Sequence, residues 1–403
     1  MYSYWILVEY EGCFLKQRGE IYFHPIFIFI IGVNFFYVLP MFYYNEDYLF
    51  PLSILLLGCF SYVFGWYVNF NKKIPTFLKK DISHYIAVDL IFYFFLISTL
   101  LKLTEVSTYS NYSEIYAGRS ESDIYYLLVS KFIDVVSLLS ASLYASRSKR
   151  KYILVFIVYS FSELMSPTRL HFILIIIYWL CFGVSFRFIK IKIWHSVLGL
   201  ASLPILFSFL LIKRLSSYSS ESFLSSFSNL VKNLDILYLM KISIDSMETF
   251  QTYLTSKMII ESSFIHPESG IVRFIFMGIP RSVWSDKPEP MARLIAKQFY
   301  PEAYANGGGM VGGIFGDPYA NAGILGIIMI WMGIGYLSRL TYNSTINSIY
   351  TGDNTGNVLK LLTYFIFVSY FIQCLRGFFS DLFWVYLYQT IIVIILSKMI
   401  KFK

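Results

Sequence analysis

The chain has 403 residues, of which 57% are hydrophobic and only 14% charged. Soluble domains carry about 25% charged residues, so a single water-exposed globule is excluded. The net charge of +8 is not a nucleic-acid signature, because the basic residues sit in short segments between apolar runs, where they report membrane topology.

Apolar runs near the length that crosses a hydrocarbon core of roughly 30 Å recur along the chain. They predict spans at residues 21–43, 49–70, 83–104, 124–146, 151–166, 170–187, 194–212, 319–338, 359–374 and 382–399. The fold class is therefore an all-α polytopic membrane protein of about ten transmembrane helices. Alternate connections are basic: Lys72, Lys73, Lys79 and Lys80; Arg147, Lys149, Arg150 and Lys151; Arg187, Lys190 and Lys192. The positive-inside rule places these in the cytoplasm, and an even number of spans returns both termini there. The sequence divides into an amino-terminal membrane region, 1–212, an extracytoplasmic loop, 213–318, and a carboxy-terminal membrane region, 319–403. The first long apolar run lacks a small-residue cleavage site, so no removable signal peptide is expected. Cys13, Cys59, Cys181 and Cys374 are widely spaced and suggest neither a disulfide framework nor a metal site.

Within span four, Lys131 and Asp134 are three residues apart and read as an ion pair on one helix face. Spans five and six share 151–187, and spans nine and ten share 359–399, too few residues for two full crossings and a turn. The tips, Ser166-Pro167-Thr168-Arg169 and Leu375-Arg376-Gly377, are therefore expected to lie below the outer surface. An arginine there costs roughly 2.5–3.5 kcal/mol and calls for an anionic partner. Glu163 stands near the first tip as a partner for Arg169 or as a catalytic carboxylate.

The loop opens with apolar residues at helical spacing, Leu230, Leu234, Leu237, Leu239 and Ile242, as expected of amphipathic helices on a membrane surface. It then becomes cationic. Between 273 and 297, Arg273, Arg281, Lys287, Arg293 and Lys297 face only Asp286 and Glu289. Guanidinium groups grip phosphate oxygens bidentately, so phosphate recognition is the simplest chemistry for this patch. The glycine run 307–316 suits either backbone contact with an anion or close helix packing. No Gly-Lys-Ser/Thr, Asp-x-Asp, His-Glu-x-x-His or Gly-x-Ser-x-Gly pattern follows, so no metal or other cofactor is expected.

Ile279-Pro280-Arg281-Ser282-Val283-Trp284-Ser285-Asp286-Lys287-Pro288 resembles the Pro-Arg-x-x-Trp-x-x-Lys-Pro stretch of the Wzy-type polymerases of bacterial oligosaccharide repeat units. Gly316-Asp317-Pro318-Tyr319-Ala320-Asn321-Ala322-Gly323 is similar to their Gly-Glu-x-Tyr-x-Asn-x-Gly pattern, with Asp for Glu. Leu375-Arg376-Gly377 resembles their carboxy-terminal Leu-Arg-Gly, and Ser166-Pro167-Thr168-Arg169 falls where a Gly-Ser-Arg-like tip occurs.

The resemblance implies glycosyl transfer at the outer face of the bacterial cytoplasmic membrane, building O-antigen or capsular polysaccharide. Donor and acceptor would be oligosaccharides on undecaprenyl diphosphate. A chain-length regulator and a flippase would be partners, beside membrane lipid and with no nucleic acid. Arg281, Arg376, Arg169 and Arg273 would bind diphosphate, although each also suits lipid headgroups or an interfacial anchor. Asp317, His266 and Glu163 are the candidate acid–base residues. Asp317 alternatively orients an arginine or caps span eight. Trp284 and Tyr319 are the candidate glycan contacts, with Trp284 equally suited to the interface. A lipid-linked oligosaccharide flippase and an O-antigen ligase are the competing readings. The gathering of charge at the outer face, rather than along a central cavity, favours the polymerase over the flippase.

Overall fold

The computed structural model describes residues 24–44, 49–68, 124–165, 169–189, 248–276, 286–305, 307–349 and 354–399, with Tyr93, Ile97, Ile279 and Trp284. The predicted spans at 83–104 (apart from Tyr93 and Ile97) and 194–212, the amphipathic stretch 213–247 and Arg281 lie outside the described residues.

The described secondary structure is helical throughout, with no strand among these residues. The long elements are α1 (Pro25–Tyr43), α2 (Leu49–Tyr67), α3 (Ile124–Ala145), α4 (Lys149–Met165) and α5 (Arg169–Ser185). There follow α6 (Glu248–Glu261), the short α7 (Arg273–Phe276), α8 (Met291–Phe299) and α9 (Pro301–Ala305). The chain ends with α10 (Gly316–Ile349), α11 (Asn354–Arg376) and α12 (Phe379–Met399). Three of these, α1, α10 over Gly316–Thr345 and α11 over Val358–Arg376, are long and apolar enough to cross a membrane. Shorter apolar helices run over Pro51–Tyr67, Ile173–Ser185 and Leu382–Leu396.

The chain forms two compact units. The first comprises Met1–Phe27, Val88–Ser122 and Ser140–Met247. In it α4 and α5 form an antiparallel hairpin: the Tyr152 hydroxyl donates to the Trp179 carbonyl at 2.9 Å, and the Tyr152 ring stacks near Phe182. Each helix of this hairpin has 17 described residues, about 26 Å at 1.5 Å per residue.

The second unit comprises Ile28–Ala87, Asp123–Leu139 and Glu248–Lys403. In its part of α3, the ammonium of Lys131 lies 3.1 Å from Asp134, the ion pair expected from their spacing. Its core is an aromatic cluster to which four helices contribute. Phe29 stacks on Tyr62 at 4.0 Å, Tyr62 lies 5.7 Å from Phe371, and Trp331 tilts against Phe29 at 5.3 Å. Two glycines bring α2 and α10 into backbone contact. A methyl on Gly65 would meet the Met332 carbonyl at 2.0 Å, and one on Gly335 would meet that of Tyr62 at 2.2 Å. Small residues at such a seam admit the close approach that favours helix association in lipid. Arg339 then reaches the Trp66 and Tyr67 carbonyls at the end of α2. Gly58, Tyr62 and Trp66 of α2 meet Phe315, Trp331 and Tyr342 in that order, so α2 and α10 run parallel. Ile324, Leu325 and Met329 project from α10 at 56%, 65% and 62% exposure, an apolar face suited to lipid.

The contacts fix the other directions too. Phe29 and Gly32 meet Phe371 and Leu375, so α1 runs with α11. The Tyr37 hydroxyl bonds to Pro51 while Phe29 meets Tyr62, so α1 opposes α2. One end of this unit therefore collects the end of α1, the starts of α2 and α10, and the α11–α12 turn. Helix α6 lies at that end, with Tyr253 against Tyr37 and Phe250 against Tyr43.

The last hairpin is longer than its apolar runs predict. α11 and α12 have 23 and 21 residues, about 34 and 32 Å, enough for full crossings. The polar stretch Asn354–Asn357 joins α11 because helical hydrogen bonding continues where hydropathy falls. The hairpin tip is nevertheless buried, and it is buried in protein: Leu375 is 1% exposed, and a methyl on Gly377 would meet the Gly313 backbone at 2.3 Å.

Candidate functional site

Helix α10 does not begin as a continuous rod. Its first turns, Gly316–Asn321, are separated from the long span by non-helical geometry at Ala322 and Gly323. Gly323 has φ +63° and ψ −145°, a conformation that costs side-chain-bearing residues dearly. Pro318 sits in the first turn, where its missing N–H leaves no bond unmade. Gly316 packs against Ser256 of α6, where a methyl would come within 2.6 Å of Cα.

This broken turn holds two other segments. Asp317 is 2% exposed, and its Oδ2 accepts the backbone N–H of Phe379 at 2.9 Å. The Phe379 carbonyl accepts the Tyr370 hydroxyl at 3.1 Å, so both backbone groups of the residue that starts α12 are held by side chains. On the other flank, the Ala320 carbonyl accepts the backbone N–H of His266 at 2.8 Å. Asn321, fully buried, donates from Nδ2 to the Asp317 carbonyl at 2.7 Å, and its amide closes on Gly270 so tightly that a methyl there would lie 1.9 Å from Oδ1.

The basic loop joins the same assembly. Phe274, next to Arg273, stacks on Phe379 at 5.5 Å and packs against Phe383 at 4.5 Å. The Trp384 indole donates to the Phe274 carbonyl. Arg273 itself donates from Nη1 to the Pro288 carbonyl at 2.6 Å, closing the loop on its own end. Lys287, 9% exposed, donates to the Ile279 carbonyl at 2.9 Å. Arg376 donates from Nη1 to Gln373 Oε1 at 3.1 Å and lies 5.4 Å from the Phe378 ring centre. Phe274, which follows Arg273, and Asp317 thus meet at Phe379, three residues beyond Arg376.

The other expected residues fall as follows. His266 Nδ1 lies 2.8 Å from Glu268 Oε1, and its ring packs on Phe264 at 4.3 Å. Partial burial raises the Glu268 carboxyl, but the hydrogen bond and charge of His266 outweigh it and hold the carboxyl below its usual value. Trp284 is half-buried, edge-on to Phe276 at 6.2 Å. Tyr319 packs against the apolar cluster of Ile259, Met291, Ile295 and Ala320, which accounts for its ring without a glycan. Arg169 opens α5 and Glu163 lies in the last turn of α4, both in the first compact unit, and their side chains lie outside the described residues.

The glycine run is corrected toward packing at its second half. Gly312, Gly313 and Gly316 lie against Asp317, Thr252 and Ser256 respectively, closer than any side chain allows, whereas a methyl on Gly307 would meet open space. Asp317, 2% exposed, holds the hairpin tip through Oδ2. Sequence reasoning missed Glu268, Gln373 and Tyr370. Only Glu268 carried a signal, its position two residues after His266.

This is a helical membrane protein with a cationic, partly buried cluster at one end of a helix bundle. Its likeness to known proteins is confined to one segment. Over 111 residues it is 28% identical to the O-antigen polymerases of Salmonella typhimurium strain LT2 and of Salmonella typhi. The match covers 25% of this chain and 27% of each relative. No family model matches the chain, and no solved structure does.

Proposed function

We propose that this protein joins oligosaccharide repeat units carried on undecaprenyl diphosphate, at the outer face of the bacterial cytoplasmic membrane, by metal-independent glycosyl transfer. The observation that carries the reading is the broken first turn of α10. It fixes the His266 segment through Ala320 and the Arg376 tip through Asp317 and Phe379. The segmental likeness to two O-antigen polymerases agrees with it.

In this reaction an acceptor hydroxyl oxygen attacks the anomeric carbon of the donor sugar. The bond from that carbon to the diphosphate oxygen breaks, and its electron pair leaves with undecaprenyl diphosphate. Arg376 and Arg273, with Arg281 of the same loop, neutralise the charge that develops on the leaving group; preorganised donors aimed at such charge are typically the largest catalytic term. His266 receives the acceptor proton. Glu268 holds its Nδ1, the relation of an orienting carboxylate to a base. Trp284 is the glycan contact and Asp317 a positioning residue. The product chain lengthens by one unit per cycle, with a chain-length regulator and the flippase that supplies precursor as partners.

The test in cells uses Arg376→Ala and Arg273→Ala at normal expression. Both should yield surface glycan one repeat unit long. A normal ladder in both variants refutes the diphosphate role. His266→Ala should lose polymer on the order of a hundredfold, as for loss of a general base, and Glu268→Gln should lose less. Accumulation of precursor at the cytoplasmic face in a deletion strain would instead indicate a flippase.

A further inference from the structure

The guanidinium of Arg376 is reached from below by a residue that the function so far leaves unused. Gln373 lies one turn earlier on α11, on the same face, and its Oε1 accepts Nη1 of Arg376 at 3.1 Å. An amide oxygen that holds one guanidinium nitrogen sets the angle at which the planar group is presented. The backbone at the tip is independently set, because Asp317 and Tyr370 hold the N–H and the carbonyl of Phe379.

We infer that Gln373 is a positioning residue that aims Arg376 at the leaving diphosphate with a neutral acceptor. This rests on the polymerase reading above. The neutrality matters physically. Arginine binds phosphate through charge-assisted, geometrically paired bonds, so both its angle and its charge contribute. A carboxylate at 373 would hold the same nitrogen equally well while placing a negative charge beside the incoming phosphate. An apolar side chain of similar length would leave the charge and release the angle. The two substitutions therefore separate orientation from electrostatics at one position.

The experiment uses full-length protein purified in detergent, with two readouts: polymer formed from a defined undecaprenyl-diphosphate repeat unit, and the rise in melting temperature on adding undecaprenyl diphosphate. Gln373→Glu should keep the wild-type melting temperature without ligand. It should lose most of the ligand-induced rise and raise KM for the lipid-linked donor at least about tenfold, the loss of one charge-assisted bond. Gln373→Met should lower kcat on the order of tenfold, with a smaller change in KM. If Gln373→Glu and Gln373→Met keep wild-type KM, kcat and thermal shift, the positioning role is overturned while the polymerase reading stands. If they lose activity only in proportion to a fall in unliganded melting temperature, Gln373 is merely structural and the inference again fails. A wild-type protein that neither forms polymer nor is stabilised by undecaprenyl diphosphate overturns both readings.

Discussion

Asp317 shows how a single residue acquires its role from its surroundings. Taken alone, an aspartate in an outer-face motif suggests a base. At 2% exposure and with Oδ2 on the Phe379 N–H, it is a clamp. Removing it with Asp317→Ala leaves a part-buried N–H without that acceptor, at roughly 1–3 kcal/mol, while Asp317→Asn keeps an acceptor oxygen and should cost less. Thermal unfolding of the two purified variants checks the order; equal stabilities would refute the clamp. The role was illegible in the sequence because it depends on a partner 62 residues away. The ion pair of Lys131 and Asp134 was legible, since a spacing of three brings two side chains together on any helix.

Among the elements, α10 carries the most information per residue. Its motif, Gly316 through Gly323, accounts for itself position by position: close approach to α6, the tip clamp, a proline in the first turn, a carbonyl for His266, an amide staple and a glycine break. Gly323→Ala should destabilise the protein by about 1–3 kcal/mol, because the backbone there is one that only glycine adopts readily. Circular dichroism on heating measures this, and a neutral effect would place the break elsewhere. The composition of the run showed that backbone approach mattered; it could not show whether an anion or a helix would approach. Element positions were legible from hydropathy, and helices form near the predicted bounds at eight of the ten expected spans. Their ends were less so, because Asn354–Asn357 continues α11 through polar residues.

For the whole molecule, the helix directions within the second unit bear on topology. α1 and α11 run one way, α2, α10 and α12 the other, so the ends carrying Asp317 and Arg376 lie together. Charge bias alone had assigned the same alternation. We expect single cysteines at Asp286 and Gly307, in a background lacking the four native cysteines, to react with a membrane-impermeant maleimide in intact spheroplasts. Labelling only after lysis would invert the proposed orientation. The central claim is that this end of the bundle binds a lipid diphosphate and transfers the glycan it carries. The most direct measurement is polymerisation by the purified protein, with a defined undecaprenyl-diphosphate repeat unit and a metal chelator present. The account predicts a ladder of polymer that Arg376→Ala and Arg273→Ala abolish; no ladder from the wild type, or an equal ladder from both variants, would contradict it.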